Sequence, residues 1–431
     1  MSLRTVVIVG GGFGGLACAR KLDGRSVNVV LLDAHIYHLF TPLLYEVASA
    51  LLNPSDISYP YRARFRTSRN VRFRQALVTS VDFQRKRIRT QSDGVMSYDY
   101  LVLATGSTNN YFGNEGLANF SIGMKTLEEA LQLRNHVLSC LERASETNDA
   151  SQRRRWLTFV IVGGGPTGVE YVGALLELLK LVLGKDFPNL TRASSRVVLV
   201  EGQDRLLPGF AVELSRYTER TLSGRGAEIR TGTLVERATG DRAVLSDGES
   251  IETRTIVWSA GVRPNDEVVP QETPRSRPGR LQVAEDLRLH GFRDVFAIGD
   301  LASAQQGGSE LPMLAPVAMQ QGRYVARSIG AELDRASGEG SMEPKPFRYV
   351  DKGMLATIGR NAAVAQIGRL RLTGFIGWLA WLLVHIYYLV GFRNRLVVLA
   401  SWGWTYFRKD RPIRIVVRAK RDPVADDPSG S

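Results

Sequence analysis

"VVIVGGGFGG", Val6–Gly15, runs from an unbroken β-branched stretch straight into a glycine cluster. Apolar residues without alternation read as a parallel strand buried on both faces. Gly10, Gly12 and Gly15 stand in G-x-G-x-x-G spacing, and "LACARKL" continues as a helix. The next apolar run, "VNVVLLD", ends on Asp33. In a strand–loop–helix unit the first glycine permits the tight turn, the second lets the backbone approach a pyrophosphate, and the third lets helix and strand pack closely. Phosphates then sit on the free amides of the helix N-terminus, which brings Phe13 and Gly14 into the candidate set. Asp33 is placed to accept hydrogen bonds from a ribose diol.

The phrase recurs as "FVIVGGGPTG", Phe159–Gly168. Gly163, Gly165 and Gly168 repeat the spacing, with Pro166 and Thr167 opening a long helical pattern. "SRVVLVEG" supplies the following strand, and Glu201 takes the place of Asp33. An acid there favours a free 2′-hydroxyl and repels a 2′-phosphate, which points to NADH over NADPH. The chain therefore reads as carrying two dinucleotide sites. Two further strands, in "YDYLVLATGS" and "TIVWSAGVRPN", end in small-residue turns at Thr105, Gly106 and Gly261, one per repeat.

Composition bounds the partners. The chain has 431 residues, net charge +13 and two cysteines, Cys18 and Cys140. The length suits two or three domains. The cysteines lie far apart in no metal or redox spacing, so a disulfide framework and a metal site are not expected. The positive charge calls for an anionic partner. The arginine-rich stretch Tyr61–Arg74 has no base-stacking module around it, so nucleic acid is not the expected one. The N-terminus shows no charged and apolar leader pattern.

The C-terminal region supplies another surface. "GFIGWLAWLLVHIYYLVGF", Gly374–Phe392, is followed by "RNR", a second apolar stretch, and then Arg408–Arg421 with seven bases and one acid. The run is barely long enough to span a bilayer. The favoured reading is a pair of amphipathic helices in one leaflet, with aromatic residues at the interface and the bases on anionic head groups; Arg393 and Arg395 between the two apolar segments favour it, because a spanning pair would have to bury or export that loop.

"DVFAIGDLAS" ends a strand in Gly-Asp. It resembles the motif with which two-domain flavoprotein disulfide reductases hold the flavin ribityl chain. That resemblance implies Asp300 on FAD, bound by the first repeat, with NADH on the second. Hydride transfer between facing cofactors would be what the protein provides. Without a cysteine pair, glutathione-reductase-like chemistry is excluded, and sulfide:quinone reduction is disfavoured.

"LFTPLLYEVAS", "KTLEEAL", "GGGPTGVEYVGAL", "APVAMQQG", "YVDKGMLATIGRNAAVAQI" and "HIYYLVGFRNRLVVLASWGWTYF" together resemble the bacterial type II NADH dehydrogenases, single-subunit NADH:quinone oxidoreductases. The resemblance implies an α/β fold with two Rossmann-like domains, the NAD domain inserted into the FAD domain, and C-terminal amphipathic membrane-anchoring helices. The expected division is 1–115 and 275–345 for FAD, 116–274 for NADH, and 346–431 for the quinone site and anchor. Pro42, Val78 and Val317 join the FAD set, with Pro42 against the isoalloxazine. Glu170 matches an acid near the nicotinamide; the alternative reading is a first-turn helix acid on the macrodipole. Lys352 and Gln320 match quinone-site residues, and Pro316 stands where the family has a glutamine, leaving menaquinone or ubiquinone open. The implied location is peripheral, on the cytoplasmic face of the cell membrane, with a homodimer as one assembly to consider. The competing activity is a soluble NADH:ferredoxin or rubredoxin reductase. A signalling protein that binds both nucleotides is a third reading.

Overall fold

The computed structural model describes residues 3–92, 94–277, 279–338, 345–408 and 415–416. It divides into two compact units. One comprises Met1–Leu39, Ser58–Thr108 and Val262–Lys352; the other comprises Phe40–Ile57, Asn109–Gly261 and Gly353–Ser431. The dividing points differ from those read off the sequence. Phe40–Ile57 and the C-terminal segments belong with the unit that holds the second glycine repeat.

In the first unit, Thr5–Val9 is the centre of a five-stranded sheet. Asn28–Asp33 and then Val71–Gln75 lie on one side, Tyr100–Leu103 and then Val295–Ala297 on the other, all parallel. Val6, Val7 and Ile8 are fully buried, as an unalternating β-branched run requires. The Phe13–Leu22 helix lies against the Ala315–Ala336 helix so closely that a Cβ on Gly322 would stand 2.1 Å from the Gly14 carbonyl oxygen. Cys18 is fully buried at this crossing, a small core residue whose thiol burial pushes up to about 12.

The second unit repeats the plan. Thr158–Val162 is flanked by Arg196–Val200 and Ala227–Arg230 on one side, and by Thr255–Trp258 and Ile122–Gly123 on the other, again all parallel. The Pro166–Val182 helix is covered by the strand Met354–Gly359, which pairs antiparallel with Ala362–Ile367. The approach is tight at Gly173, where a Cβ would meet the Ile358 carbonyl oxygen at 2.4 Å.

Two helices close the second unit, Gly374–Tyr388 and Phe392–Arg408. The apolar run is therefore interrupted, and Gly391 takes φ +94° at the break. Arg395 explains the interruption. Its guanidinium donates to the carbonyls of Leu389 and Tyr387, each at 2.8 Å, and so satisfies acceptors left over at the end of the first helix. Between the two apolar segments, where the sequence counts it against a spanning pair, this arginine is a helix cap. Among the described residues no helix is long and apolar enough to cross a membrane.

Candidate functional site

The two glycine loops have nearly the same stereochemistry. Gly10 has φ +99° and Gly163 φ +109°, a region that L side chains rarely adopt. A Cβ on Gly15 would stand 1.8 Å from the Gly10 carbonyl oxygen, and one on Gly168 would stand 1.9 Å from that of Gly163. The second glycine differs in kind. A Cβ on Gly12 or on Gly165 would meet no atom within 4 Å. Protein packing gives no reason for glycine at these two positions; room for a bound group does. Each loop feeds a helix, Phe13–Leu22 or Pro166–Val182, whose N-terminus has no side-chain cap, the arrangement in which backbone N–H groups of the first turn are offered to an anion.

Each acid reaches back to its own loop. Asp33 Oδ2 accepts from Gly11 N at 2.6 Å and from the Tyr61 hydroxyl at 3.4 Å. Glu201 Oε2 accepts from Gly164 N at 2.5 Å, and Oε1 from Gln203 N at 2.7 Å. These bonds fix the carboxylates beside the loop that would take the pyrophosphate. The residues present thus fit dinucleotides at both loops.

The remaining residues expected near FAD fall as follows. In the first unit, Thr105 Oγ1 donates to the Asn265 carbonyl at 2.5 Å and Gly106 follows it with φ +73°. Ser107 Oγ donates to Asp300 Oδ2 at 2.5 Å, in the turn Gly299–Leu301 after the last sheet strand. Val317 is buried in the first turn of the Ala315–Ala336 helix, where Pro316 occupies a position that needs no backbone donor. Val78 is part of the core with Val7 and Leu103, so only its backbone is left to face a ligand. Pro42, in the turn Thr41–Leu43, belongs to the second unit. Gly261, expected near NADH, lies in the second unit as well, where a Cβ would strike the Phe112 ring at 2.7 Å.

Gln321 was missed in the sequence. It is fully buried, its Oε1 accepts from Gly299 N at 2.6 Å next to Asp300, and its Nε2 has no partner among the described residues. A buried amide donor left over beside Gly-Asp is a further feature that a bound polar group would satisfy.

Gln320 does something other than expected. Its Nε2 donates to the Val350 carbonyl at 2.9 Å, and its Oε1 accepts from Val350 N at 3.0 Å. The side chain clamps the strand-like stretch that carries Lys352. Lys352 itself is exposed.

In the second unit, Glu170 is not in the first turn of its helix, which contains no acid. The macrodipole reading is therefore set aside. The residue is 8% exposed, and its Oε1 accepts from Thr357 N and from the Trp381 indole N–H, each at 3.3 Å. Burial pushes its carboxyl up to about 8, against the lowering effect of these two donors. Glu170 lines a cavity of about 70 Å³ together with Glu46, Trp378, Trp381 and Trp402. His385 stacks on Trp381 with ring centroids 4.1 Å apart, and burial lowers it to about 4, so it is neutral at physiological pH. The sequence marks no role for His385, and Glu46 carries no spacing signal, being one acid inside a short apolar helix.

Two strand–loop–helix sites, each closed by an acid, and no cysteine pair define a two-nucleotide oxidoreductase that lacks the disulfide step. The profile of the pyridine nucleotide-disulphide oxidoreductases matches residues 4–322. The chain belongs to that family and, within it, to the type II NADH:quinone oxidoreductases. The type II NADH:quinone oxidoreductase Ndh of Mycobacterium tuberculosis is 37% identical over 94% of this chain and 89% of its own length. NdhA of the same organism is 36% identical over 94% and 88%. Among solved structures, NDH2 from Plasmodium falciparum in complex with NADH superposes with TM-score 0.89, covering 97% of this chain and 100% of that one at 19% identity. The sulfide:quinone oxidoreductase of Aquifex aeolicus gives TM-score 0.71 over 94% and 96% at 18% identity. These last two likenesses concern the fold.

Proposed function

We propose that this chain oxidises NADH, passes its hydride to non-covalently held FAD, and reduces a membrane quinone by two electrons without pumping protons. FAD, when bound, supplies the two-electron carrier between nicotinamide and quinone. The chain's own residues bind and orient. The Gly10–Gly15 loop and Asp33 hold the FAD pyrophosphate and adenosine ribose, with Asp300, Thr105, Gly106 and Val317 along the rest of the cofactor. The Gly163–Gly168 loop and Glu201 hold NADH, and Glu201 excludes a 2′-phosphate by charge. Gln320 keeps the Val350–Lys352 stretch in place, and Lys352 offers a cation to the negative charge that develops on a quinone oxygen. The observation that carries the reading is the open space at Gly12 and Gly165, in a chain of this family with no redox cysteine pair.

The C-terminal helices support a peripheral seat on an anionic lipid surface, on the cytoplasmic face. Ile376, Leu379, Leu383 and Tyr387 recur at helical spacing and are 65%, 43%, 60% and 70% exposed. Phe392, Leu396, Leu399 and Phe407 form a like stripe on the second helix. Apolar stripes of this size on a helix pair suit an interface with acyl chains. The basic segment Arg408–Arg421, read from sequence as the head-group contact, lies almost wholly outside the described residues. A soluble ferredoxin reductase has no use for such a face. The test is NADH oxidation by the purified flavoprotein with menaquinone and ubiquinone analogues in detergent. Turnover with a quinone supports the reading, and turnover only with an iron–sulfur protein would contradict it.

A further inference from the structure

His38 packs its ring on the first glycine loop and leaves one nitrogen over. Nδ1 stands 3.1 Å from the Gly11 carbonyl oxygen, and the ring meets Phe13 edge to face with centroids 5.1 Å apart. A carbonyl oxygen only accepts, so Nδ1 carries the proton of this bond. In the neutral ring Nε2 is then a bare acceptor. The residue is 2% exposed, and Nε2 is buried with no hydrogen-bond partner among the described residues. A buried acceptor is costly to leave unpaired, so such an atom asks for a donor.

The surroundings say where that donor would come from. Gly11 and Phe13, the two loop residues that His38 touches, flank Gly12, where a Cβ would meet no atom within 4 Å. His38 therefore borders the open space at the second glycine. Its own strand holds it there: Tyr37–Leu39 pairs antiparallel with Ser58–Pro60, and His38 stands opposite Tyr59. The Gln321 amide nitrogen, left over beside Gly299, is the counterpart on the Gly-Asp turn. One of these two groups accepts and the other donates, a combination that hydroxyls and phosphate oxygens on one ligand satisfy. Burial lowers the His38 imidazole to about 4, against the raising effects of the Gly11 bond and of Asp33, with Arg20 adding to the lowering. The ring is thus neutral at working pH. His35, exposed, lies 3.5 Å from the other oxygen of Asp33.

We propose that His38 is a further FAD-binding residue: its Nε2 accepts a hydrogen bond from a ribose or ribityl hydroxyl of the cofactor beside the first glycine loop. The proposal rests on the FAD reading above. The pyrophosphate offers only acceptor oxygens at neutral pH and cannot pair with a bare nitrogen. The hydroxyls of FAD can donate to it.

The test follows FAD release from the holoenzyme by the rise in flavin fluorescence, in wild type, His38→Phe, His38→Leu and His38→Gln. Far-UV circular dichroism of the same samples reports the fold. A glutamine amide can donate to the Gly11 carbonyl and present its oxygen as the acceptor; phenylalanine and leucine offer neither group. Release should be at least about tenfold faster in the apolar variants while the dichroism is unchanged, and within about threefold of wild type in His38→Gln. Release at the wild-type rate in a folded apolar variant overturns the proposal. So does release that coincides with loss of dichroism in every variant, the mark of a purely structural histidine. A second comparison needs neither apolar variant. The ratio of wild-type to His38→Gln release rates should stay constant from pH 6 to 8.5, since Asp33, Arg20 and His35 are common to both. Wild-type release that quickens with pH relative to His38→Gln means an imidazolium on the pyrophosphate and overturns the acceptor role. A wild-type protein that binds no flavin fails differently, because the FAD reading falls with it.

Discussion

Trp402 donates its indole N–H to Glu46 across 356 residues of chain, at 2.7 Å. The bond joins the last helix of the described chain to a five-residue helix near its start, Leu44–Ala48, and it is one wall of the cavity that also holds Glu170. The burial of Glu170 there has a consequence for stability. Its carboxyl has a pKa of about 8 in the fold against 4.5 in an unfolded chain, chiefly from desolvation. A raised acid stabilises the fold fully below pH 4.5 and loses that contribution as pH rises through about 8. Between pH 6 and 9 the wild-type Tm should therefore fall more steeply than that of Glu170→Gln, which has no proton to lose. Parallel slopes in scanning calorimetry would show that Glu170 is not titrating in this window.

The second glycine of each loop separates binding from folding. Gly12→Ala places its methyl in open space, so stability of the flavin-free protein should change by under about 1 kcal/mol while FAD retention is lost. Gly15→Ala drives a methyl into the Gly10 carbonyl and should destabilise by roughly 1–3 kcal/mol or abolish folding. Denaturant titration and flavin absorbance of the purified proteins check both. Full FAD retention in Gly12→Ala would contradict the cradle.

Glu201 sits 2.5 Å from Gly164 N with its charge directed at the second loop. NADH should exceed NADPH by at least about tenfold in kcat/KM, equivalent to roughly 1.4 kcal/mol. Glu201→Gln should narrow the gap. Equal efficiency of both nucleotides in the unmutated protein would remove this assignment.

Lys352→Met should slow flavin reoxidation by quinone several-fold more than flavin reduction by NADH, because the lysine cation would stabilise the negative charge that develops on a quinone oxygen. Gln320→Leu should raise the quinone KM by freeing the Val350 backbone that its amide clamps. Stopped-flow absorbance separates the half-reactions. An unaltered oxidative half-reaction in Lys352→Met means the exposed lysine is a surface charge.

Cutting the chain before Gly374 is a poor test of the lipid seat, because Trp381 and Gly377 of that helix are buried against the second unit. The exposed stripe is the better target. Leu383→Asp with Phe392→Asp and Phe407→Asp should cut co-sedimentation with anionic vesicles by at least about tenfold, since three exposed apolar contacts are each worth on the order of 1.5–3 kcal/mol in acyl chains, while ferricyanide reduction in detergent reports that the fold survives. Undiminished pelleting of the triple variant would place the lipid contact elsewhere.

The parts legible in the sequence are those governed over short stretches of chain. A β-branched run, a glycine loop, a helix and an acid at the end of the next strand are tied together by backbone geometry within one βαβ unit. Both repeats could therefore be read residue by residue, down to the acids at Asp33 and Glu201. The same locality sets the limit. Arg395 gives no local sign of its capping role, because that role depends on two carbonyls exposed only where the first helix ends. Nothing local reveals Val350 beside Gln320. Glu46 carried no signal at all. Its neighbours Glu170, Trp381 and Trp402 all lie more than a hundred residues further along the chain, and only burial of their apolar surroundings brings them to one cavity. Both nucleotide loops follow from local chain chemistry, through the φ angles and close approaches that glycine alone permits. Which acids lose their water depends on packing between distant segments, and that burial is what raises the Glu170 carboxyl to about 8.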